Sequence, residues 1–166
     1  MATLAARLTS SKTVAVCSLL AVGALVYANS LAGSFVWDDE FLVVGNRLIR
    51  NSTYLPEAFT TDLAQEHEAS SVYYRPVQTV TYMVDYAAWG LNPFGYHLTN
   101  VLLHLAGALL VWRLAEQLGL ARLAAVAAAA LFAVHPVNAN AVAYIAGRAD
   151  MLALVGVLGA LTLWIA

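Results

Sequence analysis

Four apolar segments alternate with polar segments along the chain. The first runs from Thr13 to Ala32 without a charged residue, and the others are residues 97–118, 120–134 and 151–166. As helices, segments of these lengths rise about 23 to 33 Å, against a bilayer hydrocarbon core of roughly 30 Å. The pattern therefore predicts four membrane-spanning helices.

Two polar segments, residues 33–96 and 135–150, are predicted to join these spans on the same side of the membrane. Within the first, Pro76–Leu91 mixes apolar and polar positions and is rich in aromatic residues. Because Tyr and Trp prefer the water–lipid boundary, this segment predicts a helix lying in the interface. Gln65–Ser71 predicts a surface loop, and His135-Pro136 is expected to end or kink the third span.

Composition excludes several classes of protein. Hydrophobic residues make up 61% of the 166 residues and charged residues only 11%, and the mean hydropathy is +0.72. A soluble domain carries roughly 25% charged residues. The net charge of −2, without a basic block, argues against nucleic-acid binding, and the single Cys17 cannot form an internal disulfide or a cysteine zinc cluster. The predicted fold class is an all-α, polytopic membrane protein.

Basic residues indicate the orientation. Residues 1–12 and 113–122 carry four basic residues in 22 positions, whereas residues 33–96 and 135–150 carry four in 80. Since basic residues concentrate in cytoplasmic loops, we predict a cytoplasmic N-terminus and two extracytoplasmic polar segments. The expected location is the bacterial inner membrane, or the endoplasmic reticulum membrane if the source is eukaryotic. A cleaved signal peptide is the alternative for the first segment, because Val26-Tyr27-Ala28 resembles a cleavage site.

The last apolar segment reaches Ala166 with no polar residue after it. A membrane helix does not normally end in this way. We therefore expect a truncated fourth span and a chain that is the N-terminal part of a longer membrane domain.

Three consecutive carboxylates, Asp38, Asp39 and Glu40, follow the first predicted span. Carboxylates this close repel each other, which favours the binding of a proton or a shared cation. A carboxylate pair at the membrane boundary can deprotonate an acceptor hydroxyl or hold a divalent metal, so Asp38 and Asp39 are candidate catalytic residues. A solvated acidic cap at a helix end is the alternative.

Histidines and arginines supply further candidates on the same predicted side. His97, Asn100 and His104 share one helix face, which should turn toward protein or a water-filled cavity, and His104 is the more deeply placed packing partner. Arg148 could bind a phosphate in a bidentate manner, or pair with Asp150 or Asp38 to fix the loop. Candidate ligands for a lipid-linked phosphate or substrate are Arg148, Arg75, His135, Asp150 and His97.

Six short motifs in a fixed order resemble one family. They are Tyr27–Leu31, Phe35–Asp39, Tyr74–Pro76, Gly95–Asn100 with Leu103-His104, Phe132–Val137, and Gly147–Asp150. The resemblance spans roughly Tyr27 to Leu158, nearly the whole chain. The sequence resembles the transmembrane and tetratricopeptide-repeat O-mannosyltransferases and their bacterial relatives, within the GT-C glycosyltransferase superfamily.

The resemblance implies transfer of a sugar, typically mannose, from a polyprenyl- or dolichyl-phosphate carrier to a Ser or Thr hydroxyl of an extracytoplasmic protein. It places the acidic pair on Asp38 and Asp39 and the His-Pro loop on His135 and Pro136. It also implies tetratricopeptide repeats, which this sequence lacks. One departure stands out: relatives usually have a glutamate shortly after His-Pro, where this chain has Asn140.

Two other functions remain open from the sequence. Asn140 favours a non-catalytic membrane anchor for a downstream repeat domain, because a neutral amide cannot act as a base. A transporter would need polar residues at mid-membrane depth on several helices, and only His104 fits. No cofactor is predicted apart from the lipid-linked sugar, with a divalent metal left open.

Overall fold

The computed structural model describes residues 2–61 and 74–166, and within this part of the chain all regular structure is helical. The all-α prediction is therefore confirmed. The predicted surface loop Gln65–Ser71 lies outside the described residues. Seven α-helices are present in the described ranges: α1 Ala2–Val26, α2 Leu55–Ala58, α3 Pro76–Trp89, α4 Pro93–Gln117, α5 Arg122–Val134, α6 Ala139–Ala143 and α7 Arg148–Ile165.

Two of the described helices, α4 and the segment Ile145–Ile165 that contains α7, are long and apolar enough to cross a membrane. Helix α5 and the segment Pro136–Ala143 form a pair bent by 45°, which counts as a third span if both belong to one crossing. The described part of α1, Lys12–Val26, is a shorter apolar helix. Length and composition thus give two or three spans among the described residues, against four from the sequence.

The predicted first span, Thr13–Ala32, differs from the observed α1. The α-helix ends at Val26, and Ala28–Ala32 forms a separate 3-10 turn. The hydroxyl of Ser30 donates to the carbonyl of Tyr27 at 2.7 Å, and the Ser30 N–H donates to the same oxygen at 3.0 Å. These i to i+3 contacts tighten the chain and end the α-helical bonding pattern.

Other predicted boundaries shift by a few residues. Helix α4 starts at Pro93 rather than His97, because the Asn92 side chain accepts the Phe94 N–H at 3.1 Å and proline suits the first turn. Helix α3 ends at Trp89 rather than Leu91, since Gly90 has a φ of +59° that a helix does not continue. Helix α7 starts at Arg148, three residues before the predicted fourth span.

Helix α4 lies at the centre of the bundle, against α1, α5 and α7. On α5, Ala125, Ala129 and Ala133 are spaced four apart and fully buried, so their face approaches α1 and α4 closely. A Cβ atom at Gly107 of α4 would lie 2.9 Å from the Leu154 side chain of α7. Small residues therefore set the spacing between these helices.

The first polar segment folds into a packed unit instead of an open loop. We use the name cap for residues 33–61 together with α3. Its short turns bury a cluster of apolar residues against the start of α4 and the turn before α7: Leu42, Val43, Leu48, Ile49, Ala58, Tyr82, Met83, Tyr96, Ile145 and Ala146. Helix α3 leaves Val77 and Val84 exposed on its other face. Its location in the membrane interface stays a prediction.

Candidate functional site

Asp39 is fully buried and joins the cap to the turn before α7. One carboxylate oxygen accepts the N–H of Ala146 at 2.9 Å, and the other accepts the N–H of Val36 at 3.0 Å. Burial raises the pKa of Asp39, and the two backbone N–H donors partly oppose this shift. Both oxygens therefore have fixed protein partners.

Asp38 has a more open environment than its neighbour. Its side chain is half-buried, and its backbone N–H donates to the hydroxyl of Tyr144 at 3.1 Å. Burial raises the pKa of Tyr144 to about 12, with the Asp38 carboxylate beside the phenol adding to the shift. The phenol therefore stays protonated at neutral pH and can donate to the Asp38 carboxylate.

Trp37 precedes the acidic pair in a strained and exposed conformation. Its φ is +49°, in the left-handed region that bulky residues rarely adopt, and its side chain is 81% exposed. Its ring lies edge-on to Tyr144, with centroids 6.0 Å apart. Hydrogen bonds of the next two residues hold this geometry, and outliers of this kind cluster at functional sites. No sequence signal marks a positive φ at a tryptophan.

Arg148 does not occupy the position that the sequence predicted. It is fully buried, and its Nη1 lies 2.5 Å from a carboxylate oxygen of Asp85 on α3. Its Nε donates to Asn100 at 2.8 Å, and its Nη2 donates to the Tyr96 carbonyl at 2.8 Å. The guanidinium thus has protein partners on all three nitrogens and is buried away from solvent. The two ion-pair partners considered from the sequence, Asp150 and Asp38, are replaced by Asp85.

The polar stripe on α4 faces protein, as its spacing predicted. Asn100 donates to the Tyr144 carbonyl at 2.9 Å, and Nε2 of His104 lies 3.0 Å from the Ala133 carbonyl. His104 is therefore the packing partner that the sequence indicated. His97 is also buried and packs over Gly33, where a Cβ atom would lie 2.6 Å from Nε2. Its side chain is only 3% exposed and lies beside the backbone of Ser34.

His135 and Asp150 are exposed and stand apart from the acidic pair. Nδ1 of His135 accepts the Val137 N–H at 3.2 Å, which caps the turn after α5. Asp150 lies in the first turn of α7, where a carboxylate is favourable. Within the described ranges, no hydrogen bond, ion pair or ring contact joins either residue to Asp38 or Asp39.

Arg75 lies at a cavity of about 300 Å³ between the start of α3 and α7. The other lining residues are Pro76, Val77, Gln78, Ala149, Leu152 and Ala153, so the walls are mostly apolar. Arg75 is exposed at the point where α3 begins. The cavity therefore combines one cation with an apolar groove.

Gln78 lines the same cavity, and it is not among the candidate residues predicted from the sequence. It is only 3% exposed, and its Nε2 donates to the Tyr82 hydroxyl at 2.8 Å and to the Ala146 carbonyl at 3.0 Å. Because the Tyr82 hydroxyl donates onward to the Ile145 carbonyl, these acceptors fix the orientation of the amide. Among the described residues, no group donates to its buried Oε1. Sequence gives no signal for this role, since the Ala146 carbonyl that fixes the amide lies 68 positions away along the chain.

The turn before α7 is held by Asp39 and α3 of the cap and by α4. Gly147 has no room for a side chain there, because a Cβ atom would lie 2.8 Å from the Asn140 carbonyl and 2.9 Å from Cα of Ala141. Asn140 itself has an exposed side chain. Among the described residues, no group of three or more His, Cys, Asp or Glu side chains is placed to hold a metal ion.

Comparison with known proteins identifies relatives. The chain is 36% identical to protein O-mannosyl-transferase Tmtc1 of Drosophila melanogaster over 142 residues, and 39% identical to TMTC1 of Mus musculus over 140 residues. A protein O-mannosyl-transferase of Caenorhabditis elegans is 34% identical over 152 residues. Over the matched residues, the chain is homologous to TMTC proteins. The resemblance inferred from the six motifs is confirmed.

The match covers most of this chain but a small part of each relative. It includes 84% of the chain and 16% of the Drosophila protein, 87% and 22% for the nematode protein, and 81% and 15% for the mouse protein. No protein-family model matches the sequence, and no solved structure matches it. The TMTC assignment therefore rests on the aligned relatives, and it covers the segment that holds the acidic pair.

Proposed function

We propose that this chain is the part of a membrane O-mannosyltransferase that positions the acceptor base and one side of the donor site. The sugar, mannose, would move from a polyprenyl- or dolichyl-phosphate carrier to a Ser or Thr hydroxyl of an extracytoplasmic protein. The observation that carries the proposal is the different environment of two adjacent aspartates. Asp39 is locked between backbone donors, and Asp38 stays at the open edge of the cap.

Asp38 is the residue suited to act as general base. Its carboxylate would take the proton of the acceptor hydroxyl, and the acceptor oxygen would form a bond to the anomeric carbon. The bond from that carbon to the phosphate oxygen would break, leaving its electron pair on the lipid phosphate. Asp39 is a positioning residue in this scheme, because it fixes the backbone on which Asp38 stands.

The cavity beside Arg75 is lined by groups suited to bind a lipid-linked sugar phosphate. The guanidinium can bind the phosphate and stabilise the charge that develops on it. The unpartnered Oε1 of Gln78 can accept a sugar hydroxyl, and the apolar walls suit an isoprenoid chain. Gln78 also donates to the Ala146 carbonyl, and the Ala146 N–H donates to Asp39. Ala146 therefore links the groove to the acidic pair through hydrogen bonds. Arg148 has a structural role in this proposal.

Transfer of labelled mannose by the full-length protein tests the assignment of the base. Asp38→Asn should lower the turnover by a factor of roughly 10² to 10⁴, the range for loss of a general base, with an unchanged melting temperature. The matched control is Glu57→Gln, which removes a carboxylate from a surface ion pair with Arg47 at 3.4 Å. Full activity of Asp38→Asn would exclude this residue as the base.

A non-catalytic anchor is the second candidate, and Asn140 favours it. Its side chain is exposed, at the position where the resemblance implies a glutamate. A ligand that binds only the folded state must stabilise that state. Thermal protection by a polyprenyl-phosphate sugar, lost in Arg75→Gln, supports the enzyme. No protection in either protein supports the anchor.

A further inference from the structure

A second cavity, of about 200 Å³, lies between α1 and α4 at the end of the helices far from Asp38. Its lining residues are Lys12, Val16, Leu109, Trp112, Arg113 and Glu116. Asp38 follows the C-terminal end of α1, whereas Lys12 lies toward the opposite end of the same helix. This cavity is therefore separate from the proposed transfer site.

Trp112 has a buried donor at this cavity. Its side chain is only 6% exposed, and its indole N–H has no acceptor among the described residues. Leaving a buried donor without a partner costs about 1 to 3 kcal/mol. One Nη of Arg122, at the start of α5 on the same end of the bundle, is also buried without a partner. Both donors lie at the same end of the bundle, where an acceptor from outside the described residues can satisfy them.

The charges at the cavity favour an anion. Lys12 and Arg113 are exposed at the cavity, and Glu116 is half-buried in it, which leaves one net positive charge. The apolar walls of the cavity are Val16 of α1 and Leu109 of α4. An anionic oxygen can thus meet the cations and the indole N–H while an attached hydrocarbon chain lies along α1.

We propose that this cavity binds the phosphate of an anionic membrane phospholipid. Basic pockets between helices on the cytoplasmic side are suited to such headgroups. Tryptophan is enriched at the membrane–water interface, where its indole N–H can donate to a headgroup oxygen. The apolar wall along α1 distinguishes a lipid from free phosphate, because only a lipid uses it. The site is independent of the sugar-transfer reaction.

Lipid retention in nanodiscs tests the proposal. The chain would be reconstituted in mixed phosphatidylglycerol and phosphatidylcholine, and the retained lipids would be counted by native mass spectrometry. We expect wild type to retain phosphatidylglycerol preferentially. Lys12→Gln and Arg113→Gln should each weaken this preference by roughly fivefold, the effect of one basic residue near an anionic surface. The matched control, Arg47→Gln, removes an equal charge from the cap and should leave the preference unchanged.

Two results would overturn the assignment. Equal retention of both lipids by wild type and the two cavity variants would show that the cavity selects no anion. Displacement of the lipid by millimolar inorganic phosphate would show a free-phosphate site. Trp112→Phe keeps the ring and removes only the N–H, so a folded Trp112→Phe protein with unchanged selectivity would exclude the indole as a ligand.

Discussion

Asp38 and Asp39 show that neighbours in sequence can differ fully in environment. The Asp39 side chain is buried between two backbone donors, while Asp38 lies beside a protonated phenol at the edge of the cap. Trp37, which has a positive φ, directly precedes the pair. The sequence predicts that the pair is important but not which member is accessible.

The raised pKa of Asp39 predicts a pH dependence of stability. A carboxyl whose folded-state pKa exceeds its unfolded value of about 3.8 stabilises the fold below that value. That contribution is lost as the pH rises through the folded-state pKa. We therefore expect the melting temperature of the detergent-solubilised chain to fall as the pH is raised from 3.8 through that pKa.

Asp39→Asn serves as the comparison for this prediction. The amide cannot titrate, and its NH₂ group would face a backbone N–H where a carboxylate oxygen now accepts. We expect a loss of about 1 to 3 kcal/mol at neutral pH and a shallower pH dependence. Parallel pH profiles of the two proteins would contradict this account.

Arg148 marks the limit of residue-level prediction from sequence. Its motif indicates that the arginine has a role, and short-range reasoning offers Asp150 or a phosphate as partner. The observed partner, Asp85, lies 63 positions earlier on another helix, and three further residues complete the hydrogen bonds. Only the tertiary structure supplies such contacts, because local sequence patterns do not encode distant neighbours.

At the level of elements, the ion pair of Asp85 and Arg148 connects α3 to α7. Asp85 also accepts the hydroxyl of Thr99 on α4 at 2.6 Å, and the Arg148 guanidinium lies 4.5 Å from the Tyr82 ring centroid. Three helices therefore meet at one buried charge pair. The Arg148 side chain is 0% exposed and the Asp85 side chain 6% exposed, so solvent does not screen their attraction.

Breaking this pair should destabilise the chain strongly. Asp85→Asn leaves the Arg148 charge buried without compensation, and we expect a loss of about 3 to 5 kcal/mol in unfolding free energy. The double variant Asp85→Asn, Arg148→Gln removes both charges and should recover part of that loss. Denaturant unfolding in detergent measures both values. Equal losses of unfolding free energy for the single and double variants would show that an unpaired Arg148 charge is not what destabilises Asp85→Asn.

Helix positions were the most predictable feature among the elements. The cores of α4, α5 and α7 follow from apolar runs. Local capping explains two shifted boundaries, the start of α4 at Asn92 and the end of α3 at Gly90. The cap was not predictable as a packed unit. Its short turns have too few residues for a periodic pattern, and its core forms only with residues from the distant turn before α7.

For the whole molecule, the charge distribution predicts a cytoplasmic N-terminus and an extracytoplasmic cap. A cysteine at the exposed Ser34, in a Cys17→Ser background, should react with a membrane-impermeant maleimide in intact cells. Leu120→Cys, in the turn between α4 and α5, is the matched control and should react only after permeabilisation. The opposite pattern would place the acidic pair in the cytosol and end the proposed mechanism.

The turn before α7 has a consequence for how the molecule can move. Its backbone groups are bound by Asp39 of the cap, by Gln78 and Tyr82 of α3, and by Asn100 of α4. Moving the cap away from the helices would break the bonds from Asp39, Gln78 and Tyr82 together, whereas Asn100 of α4 would keep its bond to the turn. Separation of the cap from the helix bundle as a rigid body would therefore cost these three contacts at once.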